Sequence, residues 1–225
     1  MVPWRSACAV VFVCASFTSS LAEGLNPWAG TVRGQSAGSN KAERLTDRQI
    51  ELVRRVNDYF NHLPVLQGSF IQTSASGKQQ RGKFHFMRPG RFRFDFAPPT
   101  RVVIISDGKN LAVQDHGLKT DDRKDLNQTP FRPLLRSDVD LLRDAHISDV
   151  GEANDTIMIG FTDTDTGTGS LKLILSTKPV VQLKGWIIRD NQNLDTRVDL
   201  TEVQPIRSVD LRLFDPSSRL ERNQW

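Results

Sequence analysis

Hydrophobic and polar positions alternate most clearly between Arg81 and Asp122. Phe84 and Phe86 fall on one face of an extended segment, and Lys83, His85 and Met87 on the other. By the same parity Arg88 shares the side of the two phenylalanines. Pro89-Gly90 breaks the run, proline for want of an N–H and glycine through its tolerance of unusual backbone angles. A second run gathers Phe92, Phe94 and Phe96 on one face, with Arg91, Arg93 and Asp95 opposite. After Pro98-Pro99, the apolar run Val102–Ile105 leads into Asp107-Gly108, a hairpin signal, and Leu111–Val113 is the return strand. These phenylalanines and one arginine on a bent antiparallel ribbon predict a wall facing something apolar.

Ahead of the ribbon the period is helical. Thr46 and Gln49 form the two halves of a capping box. Ile50, Val53, Tyr59 or Phe60, and Leu63 then make one apolar stripe on a charged helix, which Pro64 ends. From Leu66 the pattern turns to strands: Leu66, Gly68, Phe70 and Gln72 alternate with their neighbours, and Ser76-Gly77 is a turn. Past the ribbon, Asp121–Leu126 is charged and exposed. Thr129-Pro130 opens a short helical segment over Phe131–Leu135, interrupted early by Pro133, and Ser137-Asp138 caps another that carries Leu141 and Leu142. After His146 alternation returns, in Ile157, Ile159 and Phe161, and then in Leu171, Leu173 and Leu175. Trp186 with Ile188, Val198 with Leu200, and Val209 with Leu211 and Leu213 continue it. No internal repeat has a constant period. One helix, a run of strands, a short helical insertion and more strands predict a curved sheet wrapped around helices.

The first residues predict export. Met1–Arg5 carries one positive charge, Ser6–Phe17 is apolar but too short to span a bilayer, and Ser20-Leu21-Ala22 places small residues where signal peptidase reads them. Cleavage after Ala22 removes both cysteines, Cys8 and Cys14, so the mature protein has no disulfide and no thiol nucleophile. Residues 23–44 are polar, aperiodic and rich in Gly, Ser and Asn, and form a flexible leader apart from Pro27-Trp28. Residues 45–225 form one domain. The net charge of +4 falls by one with Arg5, too slight a balance to imply a polyanion partner.

Few residues suggest chemistry. His62, His85, His116 and His146 are not paired at metal-ligand spacing, and His85, placed between two phenylalanines that point away, faces solvent. There is no Gly-x-Ser-x-Gly elbow and no phosphate-binding glycine loop. Asp163-x-Asp165-x-Gly167 begins like a calcium loop but lacks the later ligands, and is read as a hairpin turn. Arg81-Gly-Lys-Phe84-His-Phe86 partly echoes an RNA-recognition strand; the export signal and the mild charge argue against nucleic acid. The protein is therefore expected to be no enzyme and to need no cofactor or metal. The phenylalanines suit a core as well as a cavity wall. Arg88 either snorkels to the rim or finds backbone carbonyls of a covering segment.

Gly82-x-Phe-x-Phe-x-Arg88-Pro89, Phe92-x-Phe94, Ser106-Asp107-Gly108-Lys109-x-Leu111 and Thr129-Pro130-Phe131 with Leu134-Leu135 together resemble the periplasmic outer-membrane lipoprotein carrier (LolA) family, from about Arg44 to about Pro216. The resemblance implies a mainly β fold with α: an incomplete antiparallel β-barrel covered by a helical lid, monomeric in the periplasm. It implies a lipid-binding wall of Phe84, Phe86, Phe92, Phe94 and Phe96, faced by Ile50, Val53 and Phe60 and by Leu134 and Leu135 from the insertion. Arg88 matches the family arginine that latches the lid. The implied partners are acylated lipoproteins, an inner-membrane ATP-driven releasing complex and an outer-membrane acceptor. Phe94 stands where the family often has tryptophan, and Pro133 shortens or kinks the lid helix. A related fold that binds another lipid or senses envelope stress, and a structural adaptor with a filled core, are the alternatives.

Overall fold

The computed structural model describes residues 44–165 and 169–217. The expected signal peptide and the leader up to residue 43 lie outside them. Helix α1 (Asp47–Asn61) starts where the capping box places it, with Thr46 Oγ1 accepting from the Gln49 N–H and the Gln49 side chain accepting from the Thr46 N–H. Its buried face is Leu52, Val53, Val56, Asn57 and Phe60. The sequence stripe missed Leu52 and Val56 because it took Ile50, which is only half-buried, as part of the face.

Among the described residues, eleven antiparallel strands form one open sheet. Those before the insertion are β1 (Val65–Thr73), β2 (Gln79–Met87), β3 (Arg91–Phe96), β4 (Val102–Asp107), β5 (Asn110–Asp115) and β6 (Thr120–Asp125). Those after it are β7 (Ala145–Ala153), β8 (Thr156–Asp163), β9 (Ser170–Ser176), β10 (Gln182–Arg189) and β11 (Asp195–Ile206). The order β6-β5-β4-β3-β2-β1-β11-β10-β9-β8-β7 means that two meanders, one from each half of the chain, are joined through the β1/β11 pair. The sheet does not close, so the barrel is incomplete: β6 and β7 remain edges. They are neighbours in sequence all the same. The chain leaves one edge at Asp125, passes through a 3-10 turn (Leu126–Gln128), α2 (Arg132–Leu135) and α3 (Leu141–Asp144), and enters the other edge at Ala145. The insertion thus carries the chain from one free edge of the curved sheet to the other.

One local expectation holds and three need correction. Asp121–Leu126 is charged and largely exposed as expected, apart from buried Leu126, and most of it is edge strand β6, paired in register with β5. The cap of α3 is Asp140, whose carboxylate accepts from the Leu142 N–H, not Ser137-Asp138. Likewise Phe131 precedes α2, and Thr129 bonds back to the Leu126 carbonyl instead of capping it; Pro133 sits in the first turn, where its missing N–H costs nothing. The last predicted strand is also absent. Leu211–Phe214 is a 3-10 helix that lays Phe214, 2% exposed, against the convex face of the sheet. That cover explains the unbroken run Val102–Ile105: Val102 and Ile104 face the concave side, and Val103 and Ile105 are buried on the other.

The core divides into two clusters. One joins α1 and the insertion to β7–β10 through Val53, Val56, Leu141, Ile157, Ile159 and Leu173. The other lies against β1–β5 and β11 and contains Phe70, Phe84, Phe92 and Phe96. Leu63, Leu183 and Trp186 pack on both while remaining only partly buried, and this seam holds the cavity described next.

Candidate functional site: an apolar cavity under a helical cover

The phenylalanines arrive in rows. Across β1, β2 and β3, Phe70 stands opposite Gly82 and Gly82 opposite Phe96; in the next row Gly68, Phe84 and Phe94 align, then Leu66, Phe86 and Phe92. Glycine at position 82 is what lets the first row close. A Cβ there would lie 2.1 Å from the Asp95 carbonyl oxygen and 2.5 Å from the Phe70 ring, whereas the glycine allows Phe70 and Phe96 to meet edge-on with centroids 5.0 Å apart.

The cavity has a volume of about 110 Å³. All five predicted wall residues, Phe84, Phe86, Phe92, Phe94 and Phe96, line it. Leu173, Leu183, Trp186 and Val198 form the opposite wall, and Phe60, Leu63, Phe131, Leu134 and Leu135 its cover. Ile50 and Val53 do not line it. Val53 is fully buried in the other cluster, because the middle of α1 packs on β7 and its neighbours and only the last turn, from Tyr59, reaches the cavity. Phe84, Phe92 and Phe96 are buried, while Phe86 and Phe94 are half-buried and present open apolar surface. Trp186 reaches from β10 to the far wall, meeting Phe94 edge-to-face at 6.0 Å and Phe131 of the cover at 5.8 Å. Its alternation with Ile188 placed it on a strand; nothing in the spacing says that a curved sheet would bring it to Phe94, four strands away in the sheet order.

Polar contacts fix the cover rather than the cavity. Arg88 does not line the cavity; at its edge, Nη2 donates to the Ser137 carbonyl at 2.8 Å, to the Arg136 carbonyl at 3.1 Å and to Asn61 Oδ1 at 3.2 Å. Burial draws its guanidinium below the ordinary value, with Asp138 opposing, and Nη1 is buried without a partner. Asn61 also pairs with Val139 through both amide atoms, each at 2.9 Å, and Asn57 Oδ1 accepts from the Leu141 N–H at 3.1 Å. These asparagines, one helical turn apart, stitch α1 to the insertion. Sequence reasoning missed them, although two amides spaced by four on the buried face were a usable signal. The Tyr59 hydroxyl accepts from the Leu183 N–H at 2.9 Å, and burial raises the phenol above its ordinary value.

His85 is half-buried, not solvent-facing, and its Nδ1 has no partner. Burial lowers its pKa; Asp95 raises it, while Arg93 and Lys83 lower it further. Asp163, read as a turn residue, is buried and takes the Arg132 guanidinium at 2.6 Å. Among the described residues no cluster of histidine, cysteine or carboxylate could hold a metal, and no helix is long and apolar enough to cross a membrane.

The described residues thus form an open curved sheet with helices laid over a cavity lined almost wholly by apolar side chains. Residues 61–217 match the family described as outer membrane lipoprotein carrier protein LolA, and the chain belongs to that family. An outer-membrane lipoprotein carrier protein of Leptothrix cholodnii is 32% identical over 38% of this chain and 39% of its own length. One of Methylococcus capsulatus is 27% identical over 71% of this chain and 80% of its own. The chain spans about two fifths of the length of the first such relatives it matches. A LolA superfamily protein from Nitrosomonas europaea superimposes with a TM-score of 0.44 at 11% identity, over 74% of this chain and 96% of its own.

Proposed function

We propose that this protein is a periplasmic carrier for the acyl chains of lipoproteins, with no enzymatic step of its own. It would collect them as an ATP-driven complex releases them from the inner membrane and deliver them, as a monomer, to an outer-membrane acceptor. The observation that carries this reading is the apolar cavity at the seam of two cores, with its cover tied down by Arg88 to backbone carbonyls. The physical need is large. A buried methylene is worth roughly 0.8 kcal/mol, so an acyl chain costs on the order of 10 kcal/mol to expose to water. A carrier lowers that cost for the crossing.

The cavity volume of about 110 Å³ lies below the roughly 300–1,000 Å³ of ordinary ligand sites. Uptake therefore requires the cover to lift and the rings of Phe94, Phe131 and Trp186 to part. Binding energy that accrues only in the open form shifts the protein toward it. The test is mass spectrometry of lipid co-purifying with the protein from its native envelope. Lipoprotein-derived acyl chains support the carrier; a different lipid, or protein free of lipid that also fails to take up lipopeptide, overturns it. Amino-terminal sequencing of the same material should give Glu23, the residue after the expected cleavage point.

A further inference from the structure

Few groups lining the cavity are polar. The Tyr59 hydroxyl accepts from the Leu183 N–H, and the other polar groups are Gln72, Thr196 and Trp186. Gln72 and Thr196 are 7% and 5% exposed, and among the described residues neither side chain makes a hydrogen bond. The Trp186 Nε1–H is wholly buried and also unpartnered. The three are neighbours by register. Val198 stands opposite Gln72 on one side and opposite Trp186 on the other, and Thr196 lies two residues before Val198 on the same face of β11. Thr196 is thus the diagonal neighbour of both, within roughly 7–8 Å.

We propose that Trp186, Thr196 and Gln72 form a subsite for the ester and amide carbonyls through which acyl chains join their headgroup. The inference rests on the carrier reading and specifies which part of the cargo this wall recognises. An indole nitrogen only donates, so its partner must be an acceptor; a hydrocarbon chain offers none except at its carbonyl linkage. A donor held dry and unpaired is costly, and a ligand that satisfies it gains the difference. The threonine hydroxyl and glutamine amide add donors beside it, enough for more than one linkage. The acceptor is neutral. No arginine or lysine lines the cavity among the described residues, so the carboxylate of a free fatty acid would be buried there without a counter-charge. Trp186 is also held in place, edge-on to Phe94 and Phe131, which orients a donor that would otherwise swing.

The experiment compares two probes of equal chain length on the full chain: a triacylated lipopeptide with ester linkages, and its analogue with ether linkages at the glyceryl positions. Affinities come from displacement of an apolar fluorophore. The protein should prefer the ester probe by roughly three- to tenfold, the yield of one or two hydrogen bonds. Trp186→Phe should bring that ratio close to one. Any change the variant makes to chain packing enters both affinities and cancels in the ratio. Thr196→Val and Gln72→Leu, each retaining the side chain's bulk, should lower the ratio as well, and they decide the matter if Trp186→Phe does not fold. Equal affinities in the unaltered protein, or an unchanged ratio in the folded variants, overturn the subsite and leave carriage standing. Failure of both probes to bind overturns carriage and subsite together.

Discussion

Arg132 and Asp163 grip each other by two prongs: Nε donates to Oδ2 at 2.6 Å and Nη2 to Oδ1 at 3.0 Å. Arg132 opens α2, and Asp163 closes β8, so the pair fastens the cover to one side of the curved sheet while Arg88 fastens it to the other. The Asp163 carboxylate is fully enclosed. Its hydrogen bonds, foremost, lift the Arg132 guanidinium above the ordinary value. Asp165 adds a contact at 2.8 Å, but it is mostly exposed and water screens it.

Removing one member of this pair should cost far more than removing both. Arg132→Leu removes the counter-charge from an enclosed carboxylate that still accepts from the Asp165 N–H, a loss of about 3–5 kcal/mol, whereas Arg132→Leu with Asp163→Leu should recover most of it. Urea melts of the two variants test the order. Equal losses would show that Asp163 is reached by water when Arg132 is gone.

The two kinds of wall residue should part under the same substitution. Phe96 is 2% exposed and packed edge-on against Phe70, so Phe96→Glu buries a charge in closed core and should cost about 4 kcal/mol or more. Phe94 is half-buried at the cavity, where a carboxylate can find water once the cover lifts. Phe94→Glu should therefore cost about 1–2 kcal/mol yet abolish lipopeptide uptake. Thermal melts alongside fluorophore binding separate the two. If Phe94→Glu unfolds the protein as readily as Phe96→Glu, the aromatic wall is ordinary core.

Period-2 and period-3.6 patterns carried most of the architecture. Phe84, Phe86, Phe92, Phe94 and Phe96 share one face because the pleat leaves no other choice, and the capping box fixed the start of α1. What the pattern could not carry was curvature. Trp186 and Phe94 meet only because the sheet bends back on itself, and no local spacing encodes the angle. Ile50 and Val53 were assigned to the cavity on the premise that one stripe faces one surface, while α1 spends most of its stripe on β7 and its neighbours. The last strand failed for a related reason: Val209, Leu211 and Leu213 alternate, but Leu211 is 62% exposed and Phe214 is the buried anchor, as a three-residue turn dictates.

His85 should make the fold sensitive to mild acid. Burial holds its folded pKa below the unfolded value, so between the two values the unfolded chain binds more protons and stability rises with pH. The contribution is fully present above the ordinary histidine range, falls away as pH drops through that range, and is lost below the folded pKa. Denaturant midpoints between pH 5 and 7.5 should slope upward, about as expected for a titrating histidine. His85→Gln should flatten that slope. An identical slope in the variant would assign the titration to another group.

If the protein carries lipoproteins as proposed, Arg88 should set the ease of release. Its hydrogen bonds run from a charged donor to neutral carbonyls of Arg136 and Ser137, with Asn61 as a third acceptor, and such bonds are worth roughly 1.5–3 kcal/mol in favour of the covered form. A filled, open protein would keep none of that. Arg88→Leu should therefore destabilise the empty covered form alone, hold lipopeptide about tenfold more tightly or more, and hand it on correspondingly more slowly. Arg88→Lys should fall between the two, since all three acceptors gather on the single Nη2, where an ammonium keeps the charge and the donors but sits on a shorter stem. The measurement is transfer of a labelled lipopeptide from loaded protein to acceptor membranes. Unchanged retention and transfer in Arg88→Leu would leave these hydrogen bonds as simple tethers of the insertion, with no part in the cycle.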